Sequence, residues 1–164
     1  QGRSLSEHEF LGRRVKKFIK ILRSWTLLGI DNDKLCFVKE LVKKSYPLEC
    51  CGLLIGTNTS EKMVVEVCPV QNKNFERAHD RYVIEKSDFE KVDKEAVKKG
   101  LQVIGVYHSH PDHPAIPSVY DTEHACSWFS YIIVAIEKGE KIDIKSWVFN
   151  EGKKQFEEEE IKAC

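Results

Sequence analysis

Residues 105–121 read Gly105-Val-Tyr-His108-Ser-His110-Pro-Asp-His-Pro-Ala-Ile-Pro-Ser118-Val-Tyr-Asp121, and the rest of the chain is interpreted around them. An apolar run ends at His108 and His110, and the two-residue period of a strand sends both imidazoles to one face. Three prolines then stiffen a loop that brings back the carboxylate of Asp121. Two histidines, one aspartate and an open fourth position for water form the ligand set that is typical of catalytic zinc.

The same residues also have a purely structural interpretation. Ser118-x-x-Asp121 is a helix N-cap signal, and two histidines at the end of a strand can belong to an ordinary sheet edge. A ligand triad needs all of these residues in this order, and their joint presence therefore favours the metal site.

Composition limits the class of protein. The chain has 164 residues, enough for one compact domain, and its 26 Lys and Arg equal its 26 Asp and Glu. Because no net charge would attract it, nucleic acid is not expected as a partner.

No apolar run reaches transmembrane length, so a soluble chain without a membrane span is expected. The six cysteines form no C-x-x-C pair and mostly lie in apolar segments, which indicates a reducing, cytoplasmic compartment.

Residues 1–25 form a basic amphipathic pattern, in which apolar side chains recur at helical spacing among seven Lys or Arg and two Glu. The pattern predicts a helical extension over residues 1–30, followed by a single domain over residues 31–164. The extension could bind an acidic partner or a membrane surface. Alternatively, it could pack on the domain itself or on a second copy of the chain in a homodimer.

Hydrophobic periodicity predicts the remaining elements. Helices are expected over residues 33–45, 87–99 and 118–129, and strands over residues 50–55, 63–70, 82–84, 101–108, 131–136 and 142–149. The tail with four consecutive Glu, residues 155–161, fits either an edge strand or a short helix and is expected to present a solvated face. This order indicates an α+β fold, or three-layer α/β/α, with a mixed, mostly antiparallel sheet flanked by helices.

Hydrolysis at a zinc site also needs a carboxylate that takes a proton from water and returns it to the leaving amine. Glu49 is a candidate because it lies between Pro47 and the apolar run 51–56, where the start of a strand could hold it over a neighbouring strand's end. Taken alone, it is only a glutamate beside a strand. A thiol nucleophile at Cys50 or Cys51 is disfavoured, since the histidine pair that it would need as base is better explained by metal.

Three segments of the chain together resemble the JAMM (MPN+, Mov34/PAD-1) zinc metalloprotease family. They are Pro47-x-Glu49-x-Cys-Gly-Leu-Leu-Ile-Gly, His108-Ser-His110-Pro and Ser118-x-x-Asp121. The resemblance extends from about residue 31 to residue 160 and is greatest to the compact stand-alone prokaryotic members. It implies an MPN-type core, similar to that of cytidine deaminases. Ile116 departs from the family pattern, where a polar residue is usual.

The resemblance implies a role for each site residue. His108, His110 and Asp121 would bind one Zn²⁺, Glu49 would act as general base and then acid, and Ser118 would donate a hydrogen bond to the oxyanion. The implied substrates are peptide or isopeptide bonds after the C-terminal Gly-Gly of ubiquitin-like proteins, namely ThiS- or MoaD-type sulfur carriers or their conjugates. The Gly-Gly tail would enter as an added strand between residues 71–81 and 112–117.

Two other functions compete with this one. A non-catalytic MPN-type scaffold is disfavoured because all five chemical positions are intact. A RadC-like DNA-associated protein would carry His-Asn-His-Pro-Ser-Gly and a helical DNA-binding partner domain, whereas this chain has His-Ser-His-Pro-Asp and no basic groove. The sequence therefore favours the zinc isopeptidase.

Overall fold

The computed structural model of the chain describes residues 27–59 and 61–163. The amphipathic helix predicted over residues 1–25 lies outside the described residues. Seven strands and three helices follow one another in the described part: β1 Leu27–Ile30, α1 Asn32–Ser45, β2 Cys51–Asn58, β3 Lys62–Val70, α2 Lys86–Lys98, β4 Gln102–Pro111, α3 Val119–Glu123, β5 Ser130–Glu137, β6 Lys141–Asn150 and β7 Gln155–Ala163.

The strands form one mixed sheet in the order β1-β3-β2-β4-β5-β6-β7, and the sheet closes because β1 pairs with both β3 and β7. Both pairings of β1 are parallel, as is β4 with β5, and the other four are antiparallel. The α+β class with helices flanking a mixed sheet is confirmed. The closed, barrel-like sheet does not confirm the three-layer arrangement.

Closure depends on a strand that the sequence analysis placed in the N-terminal extension. Leu28 and Ile30 in β1 are fully buried, and Leu28 pairs with Lys62 of β3 and with Ile161 of β7. Both sheet edges are thereby covered, which removes the open backbone groups of an edge strand. The sheet thus begins four residues before the boundary predicted at residues 30 and 31.

The core follows from continuous apolar runs in β2, β4 and β5, which are buried on both faces. Helix α1 turns Val38 and Val42 inward, as its period predicts. Gly52 in β2 is required by close packing, since a Cβ there would lie 2.3 Å from the ring of Tyr107 and 2.5 Å from the carbonyl of Cys68. No other residue type fits between those strands without displacing one of them.

Three predicted elements differ from those observed. Residues 82–84 form no strand, because the Val83 amide donates to the side chain of Asn72 at 3.1 Å instead of to a neighbouring strand. Helix α3 ends at Glu123 and does not reach residue 129, because the chain turns so that the Cys126 amide donates to the Tyr131 hydroxyl at 2.7 Å. The tail is a strand, but an inner one that pairs on both sides.

No described helix has the length and apolar character needed to cross a membrane. The cysteines at positions 36, 50, 51, 68 and 126 are all free.

Candidate metal centre

Strand β4 carries both histidines to the same face near its carboxyl end. His108 and His110 are buried, at 0% and 7% exposure, and their Nε2 atoms lie 3.1 Å apart. The strand is held on one side by antiparallel β2, where Cys51 pairs with His108, and on the other by parallel β5. The alternation of the strand thus produces the convergence of the imidazoles that the His-x-His spacing predicts.

The proline-rich loop fixes the orientation of His110. Its Nδ1 lies 2.9 Å from the carbonyl oxygen of Pro114. Because a carbonyl can only accept, Nδ1 carries the hydrogen and donates, which leaves the Nε2 lone pair directed toward His108 and Asp121. A backbone partner of this kind is the usual orienting group for a metal-binding histidine.

Helix α3 supplies the carboxylate through a capping box. The Ser118 hydroxyl accepts from the Asp121 amide at 3.1 Å and donates to Asp121 Oδ2 at 2.6 Å, while the Ser118 amide donates to the same oxygen at 2.7 Å. Asp121 is buried, and its two oxygens lie 3.3 Å from His108 Nε2 and 3.6 Å from His110 Nε2. The cap and the carboxylate ligand are therefore the same structural unit.

The electrostatics favour an ionised carboxylate at Asp121. Burial alone would raise the pKa of Asp121, but the charge of His108 and hydrogen bonds with both histidines and Ser118 hold it well below its usual range. Burial lowers the pKa of His108, against the opposing effect of Asp121. For His110, the hydrogen bonds with Asp121 and Pro114 outweigh burial and raise the pKa.

These residues fit a bound zinc ion. One ligand atom from each of the three lies within 4.8 Å of the others. Tetrahedral zinc with ligand bonds of 2.0–2.2 Å places its ligand atoms roughly 3.3–3.6 Å apart. Here the two Nε2 atoms lie 3.1 Å apart, and Asp121 Oδ1 lies 3.3 Å from His108 Nε2. Of the described residues, only the two histidines lie within ion-pairing distance of Asp121, so the cluster has no Lys or Arg of its own to balance the carboxylate.

Glu49 lies just before β2 and faces this cluster. Its neighbour Cys50 donates its amide to the Ser109 hydroxyl at 2.9 Å, and Ser109 returns its own amide to the Cys50 carbonyl at 3.0 Å. Burial raises the pKa of Glu49 to about 8, with His110 opposing and Asp121 adding to the shift. The structure therefore brings together all five predicted site residues, although Ser118 lies at the exposed rim.

Three residues of the site were missed by the sequence analysis. Ser109, which the strand period turns away from the candidate ligands, fastens the segment of Glu49 to β4. Tyr82 stacks on the ring of His108 with centroids 4.5 Å apart and 25° between the planes. Asn72 binds the backbone of Glu49. No spacing in the sequence relates Tyr82 or Asn72 to the histidines, and only the folded chain shows the contacts.

An apolar cavity of about 250 Å³ adjoins one of the candidate metal ligands, Asp121. Asp121 lies on its wall, and the rest of the lining includes Leu53, Phe89, Val106 and Phe129. His113, in the proline-rich loop, is exposed. The candidate site thus borders a mostly apolar cavity at Asp121, and a mostly apolar lining with a few polar groups is usual for a ligand-binding cleft.

Comparison with known proteins places these observations in a family. Residues 38–150 match the family described as prokaryotic homologs of the JAB domain. A desampylase from Pyrococcus furiosus is 31% identical over 131 residues, which are 80% of this chain and 87% of that protein. A desampylase from Haloferax volcanii is 32% identical over 107 residues, 64% of this chain and 73% of that protein.

The fold is also shared with a solved structure. The crystal structure of a JAB1/MPN domain protein from Archaeoglobus fulgidus superposes with a TM-score of 0.56 over 85% of this chain and 99% of that one. At 20% sequence identity, this similarity shows a common fold.

Proposed function

The chain belongs to the family of prokaryotic homologs of the JAB domain, and from this we propose that it is a zinc-dependent isopeptidase that cleaves after the C-terminal Gly-Gly of ubiquitin-like proteins. The observation that carries the proposal is the convergence of His108, His110 and Asp121, since one ligand atom of each lies within 4.8 Å of the others. A bound zinc ion would polarise the scissile carbonyl and lower the pKa of a water molecule.

Glu49 is the proposed general base and acid. Its pKa of about 8 means that the carboxyl can take up and release a proton near neutral pH, which is the condition for efficient proton transfer. It would accept the proton of the attacking water and deliver it to the leaving amine. The mutual hydrogen bonds of Cys50 and Ser109 hold Glu49 at the end of the strand that carries both histidines.

Ser118 is the proposed oxyanion donor. Its hydroxyl donates to Asp121 Oδ2 at 2.6 Å, while the residue itself is exposed to solvent at the mouth of the site. Rotation of the hydroxyl would aim the same hydrogen at a substrate oxygen. A donor directed at a developing oxyanion contributes about 3 kcal/mol to the transition state in comparable sites.

We propose that the substrates are ThiS- or MoaD-type carriers or conjugates of such modifiers. Support comes from the relatives, two of which are desampylases, and from the rim of the cleft. Phe75 in one bordering loop and Ile116 in the other are 72% and 53% exposed. Apolar side chains exposed on both edges suit the extended segment that precedes a slim Gly-Gly tail.

The test is cleavage of a MoaD-type carrier joined through its terminal glycine to the lysine of a second protein. We expect cleavage with zinc, its loss on chelation and return on re-addition of zinc, and its loss in Glu49→Gln. Glu140→Gln, an exposed glutamate in the turn before β6, is the control and should cleave normally. Cleavage that persists both under chelation and in Glu49→Gln would overturn the mechanism.

A further inference from the structure

We propose that Asn72 is a positioning residue that holds the general base Glu49 and the ring of Tyr82 in a fixed relation to the metal ligands. The inference rests on the function proposed above, because it assigns Asn72 a part in the same reaction. It is carried by hydrogen bonds of a side chain that touches none of the three metal ligands.

The carboxamide of Asn72 uses every hydrogen bond that it can make. Its Nδ2 donates to the carbonyl oxygens of Glu49 at 3.1 Å and Arg81 at 2.9 Å. Its Oδ1 accepts from the amides of Asn74 at 3.0 Å and Val83 at 3.1 Å. Since an amide group has two donor hydrogens and two acceptor lone pairs, the side chain is saturated and its orientation is determined by its partners.

The bond to Glu49 takes the place of strand pairing, because the Glu49 backbone lies outside the sheet. Glu49 precedes β2, and the hydrogen bonds that fasten this segment to β4 are made by its neighbour Cys50, not by Glu49 itself. Its carbonyl accepts from Asn72 instead, and its amide donates to the carbonyl of Ala78 at 2.6 Å. Both backbone polar groups of the general base are therefore held by the segment 71–85, which has no regular secondary structure and is itself braced by Asn72.

The Asn72 side chain also binds the residues on both sides of Tyr82. Asn72 binds Arg81 and Val83, the two neighbours of Tyr82 in the chain, and Tyr82 stacks on His108 at 4.5 Å. The guanidinium of Arg81 lies 4.9 Å from the centre of the Tyr120 ring, next to Asp121. One amide thus links the general base to the aromatic ring that packs on a metal ligand.

This arrangement predicts a particular pattern of loss. His108 and His110 are held by β4 and Asp121 by α3, so the metal ligands should keep their places without Asn72. Glu49 would lose its bond and shift relative to the reacting atoms. A misplacement of about 1 Å costs up to roughly 100-fold in rate, so the loss should fall on kcat and not on zinc affinity.

The test compares Asn72→Asp and Asn72→Ala with Asn150→Asp. Asn72→Asp keeps the shape but turns the two donors into an oxygen that faces two carbonyl oxygens, and Asn72→Ala removes the bonds without adding charge. Asn150, whose Oδ1 accepts from the Lys153 amide at 3.1 Å, is the control at the far end of β6. Hydrogen exchange of the Glu49, Asn74 and Val83 amides is measured beside kcat, KM, zinc affinity and thermal unfolding.

We expect kcat to fall at least about tenfold in both Asn72 variants, with KM and zinc affinity within about threefold of wild type, faster exchange of the three amides, and an unchanged control. A wild-type kcat or unchanged exchange at Glu49 would overturn the inference. A loss of zinc affinity and of thermal stability in step with kcat would assign Asn72 a general structural role instead. If the wild-type protein cleaves no conjugate, the proposed function fails, while the exchange data still decide whether Asn72 fixes Glu49.

Discussion

Two buried polar clusters lie at opposite ends of the central strands, and they are completed in different ways. Near Ala135 of β5, the metal cluster brings one carboxylate to two imidazoles. Near Ser130, at the other end of β5, Lys62 donates to the Ser130 hydroxyl at 2.9 Å and lies 3.9 Å from the carboxylate of Glu159. The second cluster contains its own cation, and the first has none among the described residues.

The difference explains why only one cluster is a candidate site. A buried charge is tolerated when it is paired or coordinates a metal. Lys62 and Glu159 satisfy this rule inside the chain, with Ser146 donating to Glu159 at 2.8 Å, and their side chains have no exposed area. Asp121 has only the two imidazoles beside it among the described residues, and a bound metal ion would supply a cation there. Within the described part of the chain, the candidate site is thus the buried cluster in which no Lys or Arg pairs with the carboxylate.

Removal of the Lys62 charge should have the largest effect on the unfolding free energy. Lys62→Met leaves Glu159 buried without its ion pair, and breaking a buried pair costs about 3–5 kcal/mol of unfolding free energy. Urea denaturation measures this loss, and zinc affinity should be unchanged. Lys145→Met is the matched control. Lys145 pairs with Glu158, the neighbour of Glu159 in β7, and both side chains are partly exposed. This substitution should cost less than about 1 kcal/mol of unfolding free energy. Equal losses in the two variants would remove the distinction between the clusters.

Binding of zinc should have the next largest effect on the unfolding free energy. Zinc at 100 to 1,000 times its dissociation constant adds about 3–4 kcal/mol to the unfolding free energy. Asp121→Asn, which keeps the shape of the ligand but not its charge, should lose most of this increment, whereas Lys62→Met should retain it. The measurement is urea denaturation with zinc and with chelator. Stabilisation of Asp121→Asn equal to that of wild type would place the bound metal elsewhere.

The two clusters also differ in how far they could be predicted from sequence. His108, His110 and Asp121 lie within fourteen consecutive residues, and the strand period and the capping motif bring them together locally. The partner of Lys62 lies 97 positions further along the chain, in a run of four Glu interpreted as a solvated face. The alternation of β7 buries Glu159 and leaves its neighbours outside, but closure through β1 could not be anticipated.

The same distinction separates Glu49 from Asn72. The apolar run after Glu49 predicts β2, and so it predicts the end of the sheet at which the carboxylate lies. Asn72 makes hydrogen bonds with four partners between residues 49 and 83, and the segment around it has no repeating conformation. Side-chain hydrogen bonds that replace secondary structure leave no repeating signal in a sequence.

The stability of the Lys62 cluster should depend on pH in a defined window. Burial lowers the pKa of Lys62 from 10.5 to about 8, against the opposing charge of Glu159. Between pH 8 and 10.5 the unfolded chain therefore binds a proton that the folded chain does not, so the unfolding free energy rises with pH there. We expect the difference between wild type and Lys62→Met to grow by about 2–3 kcal/mol across this window, measured by urea denaturation. A difference that stays flat would show that the pKa of Lys62 is the same in the folded and the unfolded chain, and that burial does not outweigh the charge of Glu159.

The smallest effect on stability should come from the serines, since a hydroxyl donates to the acid of each cluster. Ser118 donates to Asp121 at 2.6 Å and Ser146 to Glu159 at 2.8 Å. Each Ser→Ala change removes one hydrogen bond to a carboxylate and should cost about 1–2 kcal/mol of unfolding free energy. Only Ser118→Ala should also slow isopeptide cleavage, by about 100-fold, because Ser118 is exposed at the candidate site whereas Ser146 is fully buried. Equal cleavage by the two variants would show that Ser118 acts as a helix cap alone.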